Sequence, residues 1–155
     1  MKANEMRQNS GLAHCVHHNQ HWEYCYDYRG RVEFIKANKP KRERKLRLKL
    51  LQLVPDELVP GRGSDEWKAC NKAREALNKA TKAYYEAWNY LDSNTIEAFN
   101  KATDDYNKAW EAHKKAWNTY LTKYANELQA LHDKIFPDCT WNGKTIFSTK
   151  PNSKG

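Results

Sequence analysis

Two sets of alanines at one spacing constrain this chain more than anything else in it. Ala69, Ala73, Ala76, Ala80, Ala83 and Ala87 advance by alternating steps of four and three, and Ala98, Ala102, Asp105, Ala109, Ala112 and Ala116 repeat the steps. Such steps keep residues on one side of an α-helix. Reflected about Asp92-Ser93, the two sets face each other pairwise, and each pair of position numbers totals 185. Only Ala80 opposite Asp105 departs from alanine. The expectation is a mainly α protein dominated by a long antiparallel helical hairpin, an alanine-rich coiled coil. Its backbones approach closely because small residues fill the seam. Asp105 in that seam should lie at an exposed edge or pair with Lys79, Lys101 or Lys108.

Local signals bound the hairpin. Ser64 is a helix N-cap, with Asp65 and Glu66 placed against the helix dipole. The first helix is expected over residues 65–91 and the turn at Asp92, Ser93 and Asn94. The second helix follows over residues 95–135 and stops before Pro137. At 1.5 Å per residue the two span roughly 40 Å and roughly 60 Å, so the second overhangs. There Trp117, Leu121, Tyr124, Leu128, Leu131 and Ile135 continue an apolar stripe that needs another cover. Tyr84, Trp88, Phe99, Tyr106, Trp110 and Trp117 form an aromatic flank, fit for packing against a third element or for binding a partner or self-association.

Three parts follow in order. Residues 1–63 are a basic, His- and aromatic-rich N-terminal module, α or α+β. Residues 64–136 are the hairpin, and 137–155 a tail. In the module, Arg29-Gly30 marks a turn between aromatic stretches, either a hairpin or a strand leading into a helix. Beyond Pro40, Leu46, Leu50 and Leu53 share one helical face, although "KLRLKL" also alternates as a strand would. The prolines and glycines of residues 55–63 make a linker. The tail holds Asn142-Gly143, a short hairpin signal between Thr140-Trp141 and Thr145-Ile146-Phe147. The last residues, 148–155, should fray.

A net charge of +8 favours an anionic partner: nucleic acid, lipid or an acidic protein. Aromatics at 12% argue against a disordered chain. No apolar run is long enough to cross a membrane, and residues 1–10 lack the apolar centre of a signal peptide. No membrane role is expected, and the cytoplasm is the expected location (the host cytoplasm, if a phage encodes the chain). Four cysteines without CxxC spacing do not read as a disulfide framework.

Two residue groups carry candidate chemistry. His14, His17, His18 and His21 would share one face of a helix, and Cys15 and Cys25 bracket them. Zinc takes four N or S donors in a tetrahedron, and Cys15, His17, His18, His21 and Cys25 are candidate ligands. His132 and Cys139 would join them if the module docks near the end of the second helix. With Glu23 and Asp27 the same cluster would suit a metal-dependent nuclease. The second group is Lys36, Lys39, Lys41, Arg42, Arg44, Lys45, Arg47 and Lys49, a density that suits phosphate contacts. Upstream, Trp22, Tyr24, Tyr26 and Tyr28 would stack on exposed bases. No phosphate-binding glycine loop or nucleophile elbow occurs, so nothing in the sequence argues for an enzyme.

"HHNQHWEYCYDYRGRVEFIKANKP", "LRLKLLQLVPDELVP", the "DYNKAWEA" heptad and the closing "CTWNGKTIF" occur in that order. Together they resemble a family of phage- and prophage-associated proteins over residues 15–147. Relatives carry a Cys-Pro-x-Cys-Pro-Trp-Asp-Gly tail. Here Phe136 stands in place of the first cysteine, and Cys139 keeps the second. The resemblance implies a phage or mobile-element origin. The function expected from all this is non-enzymatic: occupation of a host or phage macromolecule, as a counter-defence inhibitor would do. Nucleic-acid binding through residues 36–49 and a zinc-dependent role are the alternatives.

Overall fold

The structure, a computed structural model, describes residues 9–147. The expected fraying of 148–155 lies outside these residues, as does most of the segment 1–10. Among the described residues the protein is mainly helical, with five α-helices and one small antiparallel sheet. It divides into two compact units. One comprises the residues up to Val59 together with those from Ala130 onward, and the other is Pro60–Gln129. No helix is long and apolar enough to cross a membrane.

The first unit is built on three strands, β1 (Gly11–His14), β2 (Trp22–Cys25) and β3 (Gln52–Leu53), in the order β2-β1-β3. Gly11 faces Cys25, His14 faces Trp22, and β3 places Leu53 opposite Ala13. Strand side chains alternate between faces. Ala13 therefore packs with Val16, Cys25, Ile35 and Leu51 on one side. His14 and its neighbour Trp22 point to the other. All four residues of β1 are buried, which is what a central strand covered on both faces requires.

Of the two readings of Arg29-Gly30, the strand leading into a helix is the one that forms, β2 running into α1 (Tyr28–Asn38), and the hairpin turn lies elsewhere. The hairpin loop is residues 15–21, and Arg29-Gly30 fall in the first turn of α1. Asp27 caps that helix, its carboxylate accepting from the Gly30 amide at 3.0 Å. A Cβ at residue 30 would stand 2.1 Å from the same carboxylate, so the glycine makes room for a helix cap. The histidines accordingly do not share a helix face.

Pro40 separates α1 from α2 (Lys41–Leu50), as its missing N–H dictates. Leu46, Leu50 and Leu53 do not share a face. The helix ends at Leu50, and Leu53 lies in β3. In the tail the turn forms without strands. Gly143 adopts φ 95°, and the Asn142 side chain accepts from the Lys144 and Thr145 amides, each at 3.0 Å. The Ile146 amide is diverted to the His18 carbonyl at 3.0 Å. That bond ties the tail to the 15–21 loop rather than closing a hairpin.

The second unit holds α3 (Asp65–Asn89) and α4 (Ile96–Lys123). A further helix, α5 (Ala125–Ile135), begins here and ends in the first unit. Ser64 caps α3, accepting from Trp67 N at 3.2 Å. Asp92 orders the following turn, accepting from the amides of Asn94 at 2.8 Å and Thr95 at 3.0 Å. The single long helix expected over 95–135 is interrupted at Tyr124, although the backbone bonds into and out of that residue persist at 3.0 and 2.9 Å. Gly61, at φ +61°, lies beneath the Tyr124 ring, where a Cβ would come within 2.2 Å.

α3 and α4 touch through ring pairs: Trp67 with Trp117 and Tyr120, Tyr84 with Phe99 and Tyr106, Trp88 with Phe99. The Cys70 thiol donates to the Ala116 carbonyl at 3.3 Å. Burial revises the alanine pattern. Ala73, Ala80, Ala87, Ala102, Ala109 and Ala116 are half-buried, but Ala69, Ala76, Ala83, Ala98 and Ala112 are exposed. Among the other covered positions are larger residues at the same spacing: Cys70, Leu77 and Tyr84 on α3, and Phe99, Tyr106, His113 and Tyr120 on α4. Asp105 is exposed and pairs with Lys101 at 2.6 Å, as its place among alanines required. Tyr120 is fully buried and donates its hydroxyl to the Pro60 carbonyl at 2.8 Å.

Candidate metal centre

Four side chains of the first unit converge on one point: His14, His21, His132 and Cys139, whose donor atoms lie within 4.8 Å of one another. Each arrives from a different piece of chain. His14 ends β1, His21 precedes β2, His132 sits in the last turns of α5, and Cys139 lies in the tail. The pairing of His14 with Trp22 brings both ends of the 15–21 loop to the same edge of the sheet. The Cys15 amide donates to the His21 carbonyl at 3.0 Å and closes the loop. Cys15 reaches this turn in a left-handed conformation, φ 51°, uncommon for a residue with a side chain.

The rings are held by aromatic packing. His14 stacks on Phe136 at 3.8 Å, and His21 stacks on Trp141 at 5.2 Å. Their outer hydrogen bonds fix which nitrogen faces inward. His14 Nδ1 lies 2.7 Å from the Leu50 carbonyl. A carbonyl only accepts, so Nδ1 carries the proton and Nε2 presents a lone pair. Cys139 Sγ stands 3.5 Å from that Nε2, and Cys15 Sγ 3.4 Å. His132 Nδ1 is 3.3 Å from the Asp133 carboxylate, which again leaves Nε2 to the centre. These are the carbonyl and carboxylate partners that orient metal-ligating imidazoles.

Two observations fit a metal cation. His21 Nε2 and His132 Nε2 are buried without a partner in hydrogen-bonding geometry, an arrangement that is costly unless something else satisfies them. The sulfur at the centre also favours its charged form. The Cys15 thiol, then the imidazoles of His132, His14 and His21, hold the Cys139 thiol far below its ordinary value despite burial. The same neighbour, Cys139, together with burial pushes the Cys15 thiol up. Burial lowers His21, whereas Cys139 and Asp133 raise His132 against its burial. Zinc bonds of about 2.0–2.3 Å imply tetrahedron edges of roughly 3.3–3.8 Å. The His14–Cys139 distance of 3.5 Å already meets that.

Of the candidate ligands Cys15, His17, His18, His21 and Cys25, only His21 is in the cluster, where it is joined by His14 of the same histidine set and by His132 and Cys139, the two residues expected to join it. Cys15 borders it. His17 is exposed and bonded to Glu23 at 2.7 Å. His18 lies outward, with its ring 5.6 Å from Phe147. Cys25 is buried on the opposite face of the sheet among Ala13 and Ile35, and burial raises its thiol. Strand alternation explains the difference, since the expected helical face does not exist. The carboxylates proposed for a nuclease are engaged elsewhere, Glu23 with His17 and Asp27 at its helix cap. His132 and Cys139 take the vacated positions, and the signal for both was their place at the end of the apolar stripe.

The basic segment separates into structural and free groups. Arg47 is buried, bonded to Glu43 at 2.8 Å and lying over the Phe147 ring. Arg44 donates to the Lys39 carbonyl at 2.6 Å, and Lys36 pairs with Glu33. Lys41, Arg42, Lys45 and Lys49 are exposed. The aromatic platform expected upstream is divided, for Tyr26 is exposed with its ring edge-on to the half-buried Tyr24. Trp22 is buried against His14, and Tyr28 packs in the core with its hydroxyl toward the Leu51 carbonyl.

Comparison with family models, with curated proteins and with solved structures yields no match.

Proposed function

We propose that this protein is a non-enzymatic binding protein whose first unit is organised by one zinc ion on His14, His21, His132 and Cys139. The convergence of four N and S donors from four separate chain segments carries the reading. Four protein ligands fill a tetrahedron and leave no open position for substrate, the signature of a structural rather than a catalytic site. Zinc fits the mixture of three imidazoles and one thiolate better than a hard cation, which takes oxygen donors. The ion would tie the 15–21 loop, the end of α5 and the tail into one body. The resemblance to phage-associated proteins supplies a setting, in which occupying a host or phage macromolecule is the role of such a body.

Metal analysis of the untagged chain tests this. About one zinc per chain is expected. Cys139→Ser and His21→Ala should abolish stoichiometric zinc, while His17→Ala, His18→Ala and Cys25→Ser should retain it. Full zinc retention in Cys139→Ser would overturn the ligand set.

For the second unit we propose an antiparallel hairpin in which each layer pairs an alanine with a larger residue. Cys70 meets Ala116, Ala73 meets His113, Leu77 meets Ala109, Ala80 meets Tyr106, Tyr84 meets Ala102, and Ala87 meets Phe99. These position numbers total 186, one more than the all-alanine pairing. The Cys70–Ala116 bond supports it, as does the burial of one alanine set alone. Ala116→Cys should crosslink to native Cys70 under mild oxidation. Crosslinking from Ala109→Cys instead would move the register by one heptad.

A further inference from the structure

We infer that the exposed arc of α2, formed by Lys41, Arg42, Lys45 and Lys49, is a binding face for the phosphate backbone of nucleic acid. The inference takes the first unit's fold as given and rests on the zinc reading only through that fold.

α2 is a ten-residue helix with two unlike sides. At about 100° per residue, Lys41, Lys45, Lys49 and Arg42 fall within an arc of about 100°. All four are exposed, and no acid shares the arc. Glu43 lies on the covered side, bonded to Arg47. Lys41, Arg42 and Lys45 make no ion pair among the described residues, and Lys49 only reaches Asp138 at 4.0 Å. Like charges four residues apart on a helix repel each other. Lys41, Lys45 and Lys49 stand at that spacing with no internal compensation, so a polyanion laid along the helix relieves the repulsion.

The other side of α2 decides among anionic partners. A membrane-surface helix needs a free apolar face to sink into lipid. Here Leu50 is buried, and Leu46 and Leu48 pack into the two cores of the unit. Only cations remain outside, so binding is electrostatic. Successive lysines rise about 6 Å along the axis, a regular row suited to a chain of regularly placed phosphates. Of the upstream aromatics, Trp22 and Tyr28 are committed to packing and Tyr24 and Tyr26 meet edge to face, so the row of cations carries the binding. Binding should therefore be indifferent to sequence.

Fluorescence anisotropy of the zinc-loaded chain with labelled 20-mer oligonucleotides, single- and double-stranded, reads this directly. Four phosphate contacts give a slope of log affinity against log salt of about −3.6 on duplex, and a loss of roughly 150-fold between 50 and 200 mM salt. Replacing Lys41, Arg42 and Lys45 together by glutamine should bring the slope to about −0.9, about one unit per charge removed. An unchanged slope in that variant overturns the assignment to α2. Failure of the zinc-loaded wild type to bind at 50 mM salt overturns nucleic-acid binding and leaves the metal site standing. Competition by poly-glutamate as strong as by unlabelled oligonucleotide transfers the face to an acidic protein and overturns the inference. Zinc content and circular dichroism of each variant, measured alongside, keep loss of the face distinct from loss of the metal. A folded, zinc-free chain that binds with the expected slope upholds the face and overturns the metal reading.

Discussion

The two units treat their buried polar atoms differently. Around β1 the chain buries His14, Arg47 and His132. Arg47 is answered by Glu43 and His14 Nδ1 by a carbonyl, but the inward nitrogens of His21 and His132 face only the Cys139 sulfur, outside hydrogen-bonding geometry. In the unit of α3 and α4 the most buried polar group, the Tyr120 hydroxyl, is answered within the unit by Pro60. One oxygen of Glu66 is buried and unpaired there, but the other meets Lys123 at 2.7 Å. The second unit is thus closed by its own residues. The first would be closed by the zinc ion proposed above, and its stability should then depend on one component where the other's is spread along two helices.

The largest effect that would break this comparison comes from chelation. Structural zinc contributes on the order of 10 kcal/mol of binding free energy to small domains. Removing it should melt the first unit while the second stays folded. Near-ultraviolet signals of Trp22 and Trp141 should collapse, and amides around Ala13 and Leu51 should lose exchange protection. Amides of α3 and α4 should keep theirs. Equal loss in both units, or in neither, would dissolve the contrast.

The reciprocal test is Tyr120→Ala. It removes a fully buried ring packed against Trp67, Trp117 and Tyr124 and orphans the Pro60 carbonyl. A loss of about 3–5 kcal/mol is expected for deleting a core aromatic, read as a lower denaturant midpoint for the helical unit. Zinc stoichiometry should not change. If zinc is lost together with the helices, the two units do not fold independently.

The same contrast explains what the sequence disclosed. Periodicity is a local, repeated signal, so the extent of α3, the start of α4, the Ser64 cap, the Asp92 turn and the exposure of Asp105 beside one of three candidate lysines are legible, while the break at Tyr124 is not. The period could not say which of two equivalent alanine sets faces inward. That depends on where Leu77 and Tyr120 go, and burial of larger side chains outweighs the preference for small ones at close approach. The cluster of histidines and cysteine is non-local. His14 and Cys139 are separated by most of the chain, and no spacing rule joins them. The four histidines do not share a helix face, because the first of them ends a strand and the others lie in the loop that follows it. Strand alternation sends neighbouring residues to opposite faces, which is why His14 enters the cluster and Cys25 does not. The basic run was visible at once, but only packing could remove Arg44 and Arg47 from it.

The smallest effect concerns how the helical unit responds to acid. Asp92 holds the turn between α3 and α4, and its carboxyl lies below the ordinary range because the Asn94 amide, then the Thr95 hydroxyl, bond its charged form. A carboxyl depressed in the folded state adds stability that is fully present above its unfolded value, about 3.9. That stability is lost as pH falls through the lower, folded value. Acid should therefore loosen the helical unit below about pH 4. Asp92→Asn keeps an oxygen for the two amides but carries no charge. It should lower stability slightly at neutral pH and flatten that part of the acid limb, measured as denaturant midpoint against pH. The change should be small, since the carboxylate is exposed and water competes for it. A variant whose acid limb matches the wild type would show that Asp92 orders the turn by shape alone. The helical unit's acid response would then lie in the Glu66–Lys123 and Asp105–Lys101 pairs, whose carboxyls are lowered by their bonds to the lysines.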